Sequence, residues 1–196
     1  IHTTATSHGR IFIVEVMGHK VGWLTLHAGI AGSADAILLP EIPYKVESIA
    51  EMIERRSKEG KRFSILAVAE GAISEEEAKM SKKELKAKRA SENEPSVSYR
   101  LAKELGEATG HEIRVTVPGH IQRGGSPCPY DRVLSTRFGV AAAQLIKEKK
   151  YGNMVAMRNN AIVPVPLTEV AGKLKTVQPD CELIRTARGI GISFGD

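Results

Sequence analysis

The chain has 196 residues, of which 42% are hydrophobic and 26% charged, and its formal net charge is +5. This composition is that of an ordinary folded protein, and no apolar run reaches the roughly 18–20 residues of a membrane span. The basic residues are spread along the chain and aromatic residues contribute only 5%, which argues against a nucleic-acid surface. Small phosphorylated ligands remain the better partners for the positive charge.

The first residues and the two cysteines indicate the setting of the chain. The sequence begins Ile-His-Thr-Thr, with neither an initiator methionine nor a signal peptide, and reaches its first strand candidate after ten residues. We therefore expect a fragment of a longer protein. Cys128 and Cys181 lack metal-ligand spacing and are too few for a disulfide framework, so we expect two half-buried thiols in a reducing, cytoplasmic compartment.

Short apolar runs between turn signals predict six strands. Their ranges are 11–17, 36–39, 63–69, 112–117, 153–157 and 161–165. Runs of this kind suit strands that are buried on both faces of a sheet.

Apolar residues at helical spacing lie between these strands. One apolar stripe runs from Val46 to Ile53 and a longer one from Leu134 to Leu145, and residues 23–31 form a small-residue segment that could pack closely on a sheet. Strands that alternate with helices predict an α/β fold with a mostly parallel sheet.

The segment 75–94 differs from the rest because twelve of its 20 residues are charged. Ser74 and Glu77 have the spacing of a capping box, which predicts a helix that begins here. An exposed, solvated insertion is the favoured interpretation, and a lid or partner surface is the alternative.

The densest group of functional residue types is the segment 118–127, which lies between a predicted strand and a predicted helix. Ligands of open α/β sheets bind beyond the carboxyl ends of strands, where His120 and Arg123 are expected. Arginine offers paired donors to phosphate oxygens, and histidine can donate from either ring nitrogen. A glycine-rich turn with a capping arginine is the alternative, but the combination favours binding.

Two further strand ends carry candidate residues. Met17 and Gly18 end the first strand, where glycine lets a ligand approach the backbone, and Glu70 ends the third strand, where a carboxylate could accept hydrogen bonds from sugar hydroxyls. A plain turn and a surface charge explain these residues equally well. Arg10 and Arg114 flank strands, and each taken singly is better explained as a surface arginine.

Three segments together resemble the 6-phosphofructokinase family. They are VEVMGHKVGWLTLHAGIAGSADAILLPEIPY (14–44), AVAEGA (67–72) and RVTVPGHIQRGGSPCPYDR (114–132). The ending IRTARGIGISFGD resembles the bacterial branch that includes pyrophosphate-using members. The resemblance covers nearly the whole chain and implies a three-layer, parallel-sheet sugar-phosphate domain with part of a donor-binding domain.

The resemblance also implies roles for individual residues in binding fructose 6-phosphate. His120 and Arg123 would contact the sugar phosphate, with His120 near the 6-phosphate, and the remaining matches are Arg10, Met17, Gly18, Glu70 and Arg114. Met17, Gly18 and Glu70 would frame the sugar. Arg10 and Arg114 match arginines that reach the 6-phosphate of a neighbouring subunit, which implies a homo-oligomer, either a dimer or a tetramer.

His19 and two missing motifs mark departures from the family. The family usually has arginine at the His19 position, where it helps to neutralise the transferring phosphoryl group; Lys20 could substitute. The family's glycine-rich GGDG or GGDD region and its TID loop do not occur here. We therefore expect the site for ATP or pyrophosphate, with Mg²⁺, to lie outside this chain, and the chain alone to be inactive.

The resemblance divides the chain into three parts and leaves two functions open. Residues 1–123 would form the main part of the sugar domain, 124–172 would return to the donor domain, and 173–196 would cross back. The helix predicted from Pro129 to Lys147 would then expose its apolar stripe. A glycolytic phosphotransferase is the leading hypothesis; a non-catalytic sugar-phosphate sensor is the alternative, and a nucleic-acid module rests on charge alone.

Overall fold

The computed structural model describes all 196 residues, and they form two compact units. The first unit contains residues 1–122 and 176–196, and the second contains residues 123–175. The family resemblance implies divisions near residues 123 and 172, and the correspondence of the two units to the family's sugar and donor domains stays a prediction.

Nine α-helices, one 3₁₀ helix and six strands make up the chain. The helices are α1 (His2–His8), α2 (Trp23–Ala31), α3 (Val46–Lys58), α4 (Glu75–Ala78), α5 (Lys82–Ser91), α6 (Val97–Thr109), α7 (Pro129–Lys147), α8 (Leu167–Val170) and α9 (Glu182–Gly189), and the 3₁₀ helix is Gly119–Arg123. The strands are β1 (Ile11–Val16), β2 (Ala36–Leu38), β3 (Ser64–Ala69), β4 (Ile113–Thr116), β5 (Asn153–Arg158) and β6 (Ala161–Pro166). No helix combines the length and apolar character that a membrane crossing requires.

A parallel sheet with strand order β2-β3-β1-β4 organises the first unit. Successive side chains of a strand point to opposite faces, so Ile11 and Ile13 of β1 pack with α3 and α6, whereas Phe12 packs with α1 on the other face. Helices α2 and α9 cover the rest of that second face through Leu26 and Ile184. The predicted three-layer α/β fold is therefore confirmed.

Helix α2 lies close against the sheet, as its small residues predict. A Cβ atom added at Gly29 would lie 2.5 Å from Cγ1 of Ile37 in β2. Only glycine at this position lets the helix approach the strand so closely. The stripe of α3 also faces the core as predicted, because Ile49 and Ile53 are buried.

The last residues of the chain complete the edge of this sheet. Ser193 accepts a hydrogen bond from the Ile37 N–H (2.8 Å) and donates one to the Asp35 carbonyl (3.1 Å). Gly195 accepts one from the Lys45 N–H (2.7 Å), and Phe194 is fully buried. Residues that follow the second unit in sequence thus pack beside β2 of the first unit.

The charged segment folds into the two short helices α4 and α5 instead of one solvated helix. The predicted capping box of Ser74 and Glu77 is confirmed. Glu77, however, has a side chain that is only 1% exposed and pairs with Arg89 and Arg100 at 3.1 and 3.0 Å. The prediction of a solvated insertion is therefore wrong at Glu77, since ion pairs hold this carboxylate inside the unit.

The second unit contains an antiparallel hairpin, so the parallel arrangement does not extend to β5 and β6. Asn159 and Asn160 connect the strands with positive φ angles of 47° and 65°, which is the backbone of a tight hairpin turn. Only Val165 of these two strands is buried, and β4 of the first unit has no buried residue. The prediction of strands buried on both faces is therefore wrong for β4, β5 and β6. The half-buried thiol prediction holds for Cys181 but is wrong for Cys128, which is exposed at the start of α7.

Candidate functional site

The parallel register brings two predicted site segments to one edge of the sheet. Val16 at the end of β1 is paired with Ala69 at the end of β3, so Met17 and Gly18 lie beside Glu70. The Gly18 N–H donates to Oε1 of Glu70 at 3.1 Å, and the His19 N–H donates to the same oxygen. Oε2 of Glu70 accepts no hydrogen bond from the chain and remains available to a ligand.

The backbone after Gly18 is held tightly against the residue that follows Glu70. His19 has a φ of 57°, a left-handed conformation that is uncommon for residues other than glycine. A Cβ added at Gly71 would lie 2.3 Å from the His19 carbonyl oxygen, so glycine is required there. The His19 and Lys20 side chains make no hydrogen bond or ion pair and border a pocket of about 510 Å³ that Glu70 also lines.

The turn after β4 is fastened to the end of β1 by a residue that sequence reasoning did not select. Oε1 of Gln122 accepts a hydrogen bond from the Met17 N–H at 3.2 Å. Strands β1 and β4 are parallel neighbours, which explains why the turn after one meets the end of the other. Gln122 belongs to the dense 118–127 segment, and its polar side chain among glycines was the available signal.

His120 and Arg123 both lie in the 3₁₀ helix, three positions apart. Both residues are exposed, and neither side chain forms a hydrogen bond or ion pair with another residue. Neither is turned into the interior, which leaves their donors available to a ligand.

Arg10 and Arg114 lie at the opposite edge of the sheet. Arg10 precedes β1 and Arg114 is the second residue of β4, paired with Phe12. Both form ion pairs with Glu112, Arg10 at 2.8 Å. The six residues of β1 separate this edge from Met17 by about 20 Å at roughly 3.3 Å per residue. The structure therefore places both arginines away from the strand ends that carry Met17 and Glu70.

Arg89 of α5 is a further residue at the site that the sequence did not reveal. Nε and Nη2 of Arg89 donate to the two carboxylate oxygens of Glu77, both at 3.1 Å, and Nη2 also donates to the Ala72 carbonyl at 3.1 Å. Burial alone would raise the pKa of Glu77, but the hydrogen bonds from Arg89 and the charge of Arg100 hold it below its usual value. Arg89 thus ties the charged segment to the residues that follow Glu70.

Family comparison gives a consistent result along the chain. The phosphofructokinase family model matches residues 1–146. An ATP-dependent 6-phosphofructokinase of Spirochaeta thermophila is 55% identical over all 196 residues, which cover 54% of that protein. One from Chloroflexus aurantiacus is 47% identical over 196 residues, or 53% of its length. The chain spans about half the length of the curated relatives it matches.

Solved structures show the same fold. Phosphofructokinase from Saccharomyces cerevisiae superimposes with a TM-score of 0.69 and 36% identity over 86% of this chain and 21% of the yeast chain. A pyrophosphate-dependent phosphofructokinase from Nitrosospira multiformis gives a TM-score of 0.73 over 92% of this chain and 46% of its own. At 18% identity the second match supports the fold alone.

Proposed function

The chain belongs to the phosphofructokinase family, and from this premise we propose that the intact protein transfers a phosphoryl group to the 1-hydroxyl of fructose 6-phosphate in glycolysis. Residues of this chain hold the sugar phosphate. One observation carries the proposal. The Glu70 carboxylate and the Gln122 amide fix the Met17–His19 backbone at the carboxyl end of β1, while His120 remains exposed and without a partner.

Each residue of this edge has a distinct role in the proposal. The Arg123 guanidinium and the His120 ring donate to the 6-phosphate, because charge-assisted hydrogen bonds to phosphate are short and strong. Oε2 of Glu70 accepts from a sugar hydroxyl, and the Met17–Gly18 backbone lies along the sugar. These groups raise the rate by fixing the acceptor hydroxyl for in-line attack, which is the main contribution a protein makes to phosphoryl transfer.

The phosphoryl donor and its metal are assigned to a part of the protein outside these 196 residues. No group of three or more His, Cys, Asp or Glu side chains is arranged to hold a metal ion. The relatives with 47–55% identity are named ATP-dependent, which favours ATP, with pyrophosphate as the alternative. The two free cysteines agree with a cytoplasmic setting.

A second copy of the chain completes the proposed phosphate site. Arg10 and Arg114 lie about 20 Å and about 16 Å before Met17 along the strand direction, because Arg10 precedes β1 and Arg114 is paired with Phe12. Their guanidinium groups are partly exposed at the other sheet edge. We assign them to the 6-phosphate bound by a neighbouring subunit, which requires a dimer or a tetramer.

Replacing Arg123 with alanine in the full-length protein tests the proposal. Loss of a charge-assisted phosphate contact of about 1.5–3 kcal/mol should raise the KM for fructose 6-phosphate or lower turnover by roughly 10- to 100-fold in a coupled assay of fructose 1,6-bisphosphate formation. Arg55→Ala, at an exposed arginine of α3, is the control. Wild-type kinetics for Arg123→Ala would refute the role, and a wild type that binds the sugar phosphate without turnover would support the sensor function.

A further inference from the structure

From the contacts of α5 we infer that Arg89 is a positioning residue for the Glu70 carboxylate. The inference rests on the proposed function, because it concerns the carboxylate to which a sugar hydroxyl is assigned. It also gives the charged segment 75–94 a role, since the side chain that reaches the site edge belongs to this segment.

The first step is how the chain after Glu70 is held. Gly71 packs against the His19 carbonyl, and the next residue, Ala72, presents its carbonyl to Nη2 of Arg89 at 3.1 Å. A displacement of Ala72 by one ångström would therefore be transmitted through two peptide units to Glu70. The Arg89 guanidinium also donates two hydrogen bonds to Glu77. It therefore has little freedom to move with Ala72.

The second step is the place of Arg89 beside Glu70. Together they line two pockets, one of about 510 Å³ that His19 also borders and a smaller one of about 290 Å³ that Ser96 borders. Arg89 therefore lines the candidate site and also holds the backbone that follows Glu70 through its hydrogen bond to Ala72. Glu77 already neutralises most of the charge of Arg89. This favours a role for Arg89 in positioning Glu70 over a role in binding phosphate.

The third step is what a misplaced Glu70 would lose. Oε1 of Glu70 accepts hydrogen bonds from the Gly18 and His19 N–H groups. Movement of the carboxylate would break these hydrogen bonds and would also displace Oε2, the oxygen assigned to the sugar hydroxyl. Two consequences can then be measured separately. The Gly18 and His19 amides should exchange faster with solvent in the ligand-free chain, and fructose 6-phosphate should bind more weakly.

Arg89→Lys is the variant that separates positioning from folding. Lysine can keep the ion pair with the buried Glu77, so the fold is preserved, but its compact ammonium cannot reproduce the planar fork that also reaches Ala72. We expect amide exchange at Gly18 and His19 to accelerate at least tenfold in the 196-residue chain, with its melting temperature close to that of the wild type. The matched control is Arg55→Lys. Unchanged exchange at both amides would overturn the inference.

Kinetics of the full-length protein provide the second readout. We expect Arg89→Lys to raise the KM for fructose 6-phosphate about tenfold, the equivalent of one charged hydrogen bond, without changing the donor KM.

In a Glu70→Gln background the same substitution should have no further effect, because Arg89 acts through Glu70. Additive effects, or an equal rise in both KM values, would overturn the inference. A wild type without turnover would refute the proposed function, and amide exchange at Gly18 and His19 would still test this assignment. An active wild type with an unaltered Arg89→Lys would refute the assignment alone.

Discussion

Glu77→Gln provides a quantitative test of how the charged segment is anchored. Glutamine keeps the size of the side chain and remains compatible with the capping box of Ser74, so the substitution removes mainly the charge. Breaking a buried ion pair costs about 3–5 kcal/mol when the remaining charge is left alone. Here Arg100 retains Glu92 at 2.8 Å and Arg89 is 33% exposed, so we expect a loss of roughly 2–3 kcal/mol in the free energy of unfolding at pH 7.

The pH dependence of this loss has a definite sign. The pKa of Glu77 is lowered from 4.5 in the folded protein, so the unfolded chain takes up the proton first as the pH falls. The stabilisation is therefore complete well above pH 4.5 and is lost as the pH drops through the lowered folded pKa. The difference between wild type and Glu77→Gln should shrink over the same range.

Urea unfolding followed by the fluorescence of Trp23 measures the effect. Trp23 is the only tryptophan of the chain and lies in α2 of the first unit, so it reports on the unit that contains Glu77. Glu76→Gln is the matched control, since Glu76 is exposed and unpaired and should change stability by less than about 0.5 kcal/mol. Equal losses for the two variants, or a loss for Glu77→Gln that is independent of pH, would refute the reasoning.

Two further predictions concern the site and the core. His19→Arg in the full-length protein should increase turnover by up to about 10³-fold, because a guanidinium is permanently charged and offers paired donors to the oxygens of the transferring phosphoryl group; Lys20→Arg is the control, and an unchanged rate would show that the charge is supplied elsewhere. Gly29→Ala should lower the free energy of unfolding by about 1–2 kcal/mol, because overpacking against Ile37 outweighs the gain in helix propensity. Gly106→Ala on α6, where an added Cβ would lie 3.8 Å from the His111 carbonyl oxygen in ordinary contact, should be neutral or stabilising, and a similar gain for Gly29→Ala would contradict the close packing of α2.

The sequence predicted the parts of the fold that depend on local pattern. The apolar run of β1 and the stripe of α3 were sufficient because burial follows side-chain periodicity. Strands β5 and β6 were predicted, but their antiparallel pairing was not. An apolar run contains no information on whether the neighbouring strand is parallel or antiparallel. The Asn159–Asn160 signal for a tight turn between the two strands was present in the sequence.

The site was predictable where it depends on strand ends and unpredictable where it depends on side-chain contacts. Met17 and Glu70 could be placed at one edge because parallel strands end together. The hydrogen bond from Met17 to Gln122 spans 105 positions, and the pair of Glu77 with Arg100 spans 23. Contacts between residues so far apart leave no repeating pattern in the sequence. The burial of Glu77 within a highly charged segment therefore could not be predicted from the number of charges.

The pairing of Ser193 with Ile37 has a consequence for biosynthesis. A ribosome releases β2 long before it has made the residues that cover its outer edge, and all of the second unit is synthesised in between. The edge of β2 in the nascent first unit therefore stays unpaired until residues 193–195 emerge from the ribosome. During that interval the edge is the place where a chaperone or another nascent chain can pair with it.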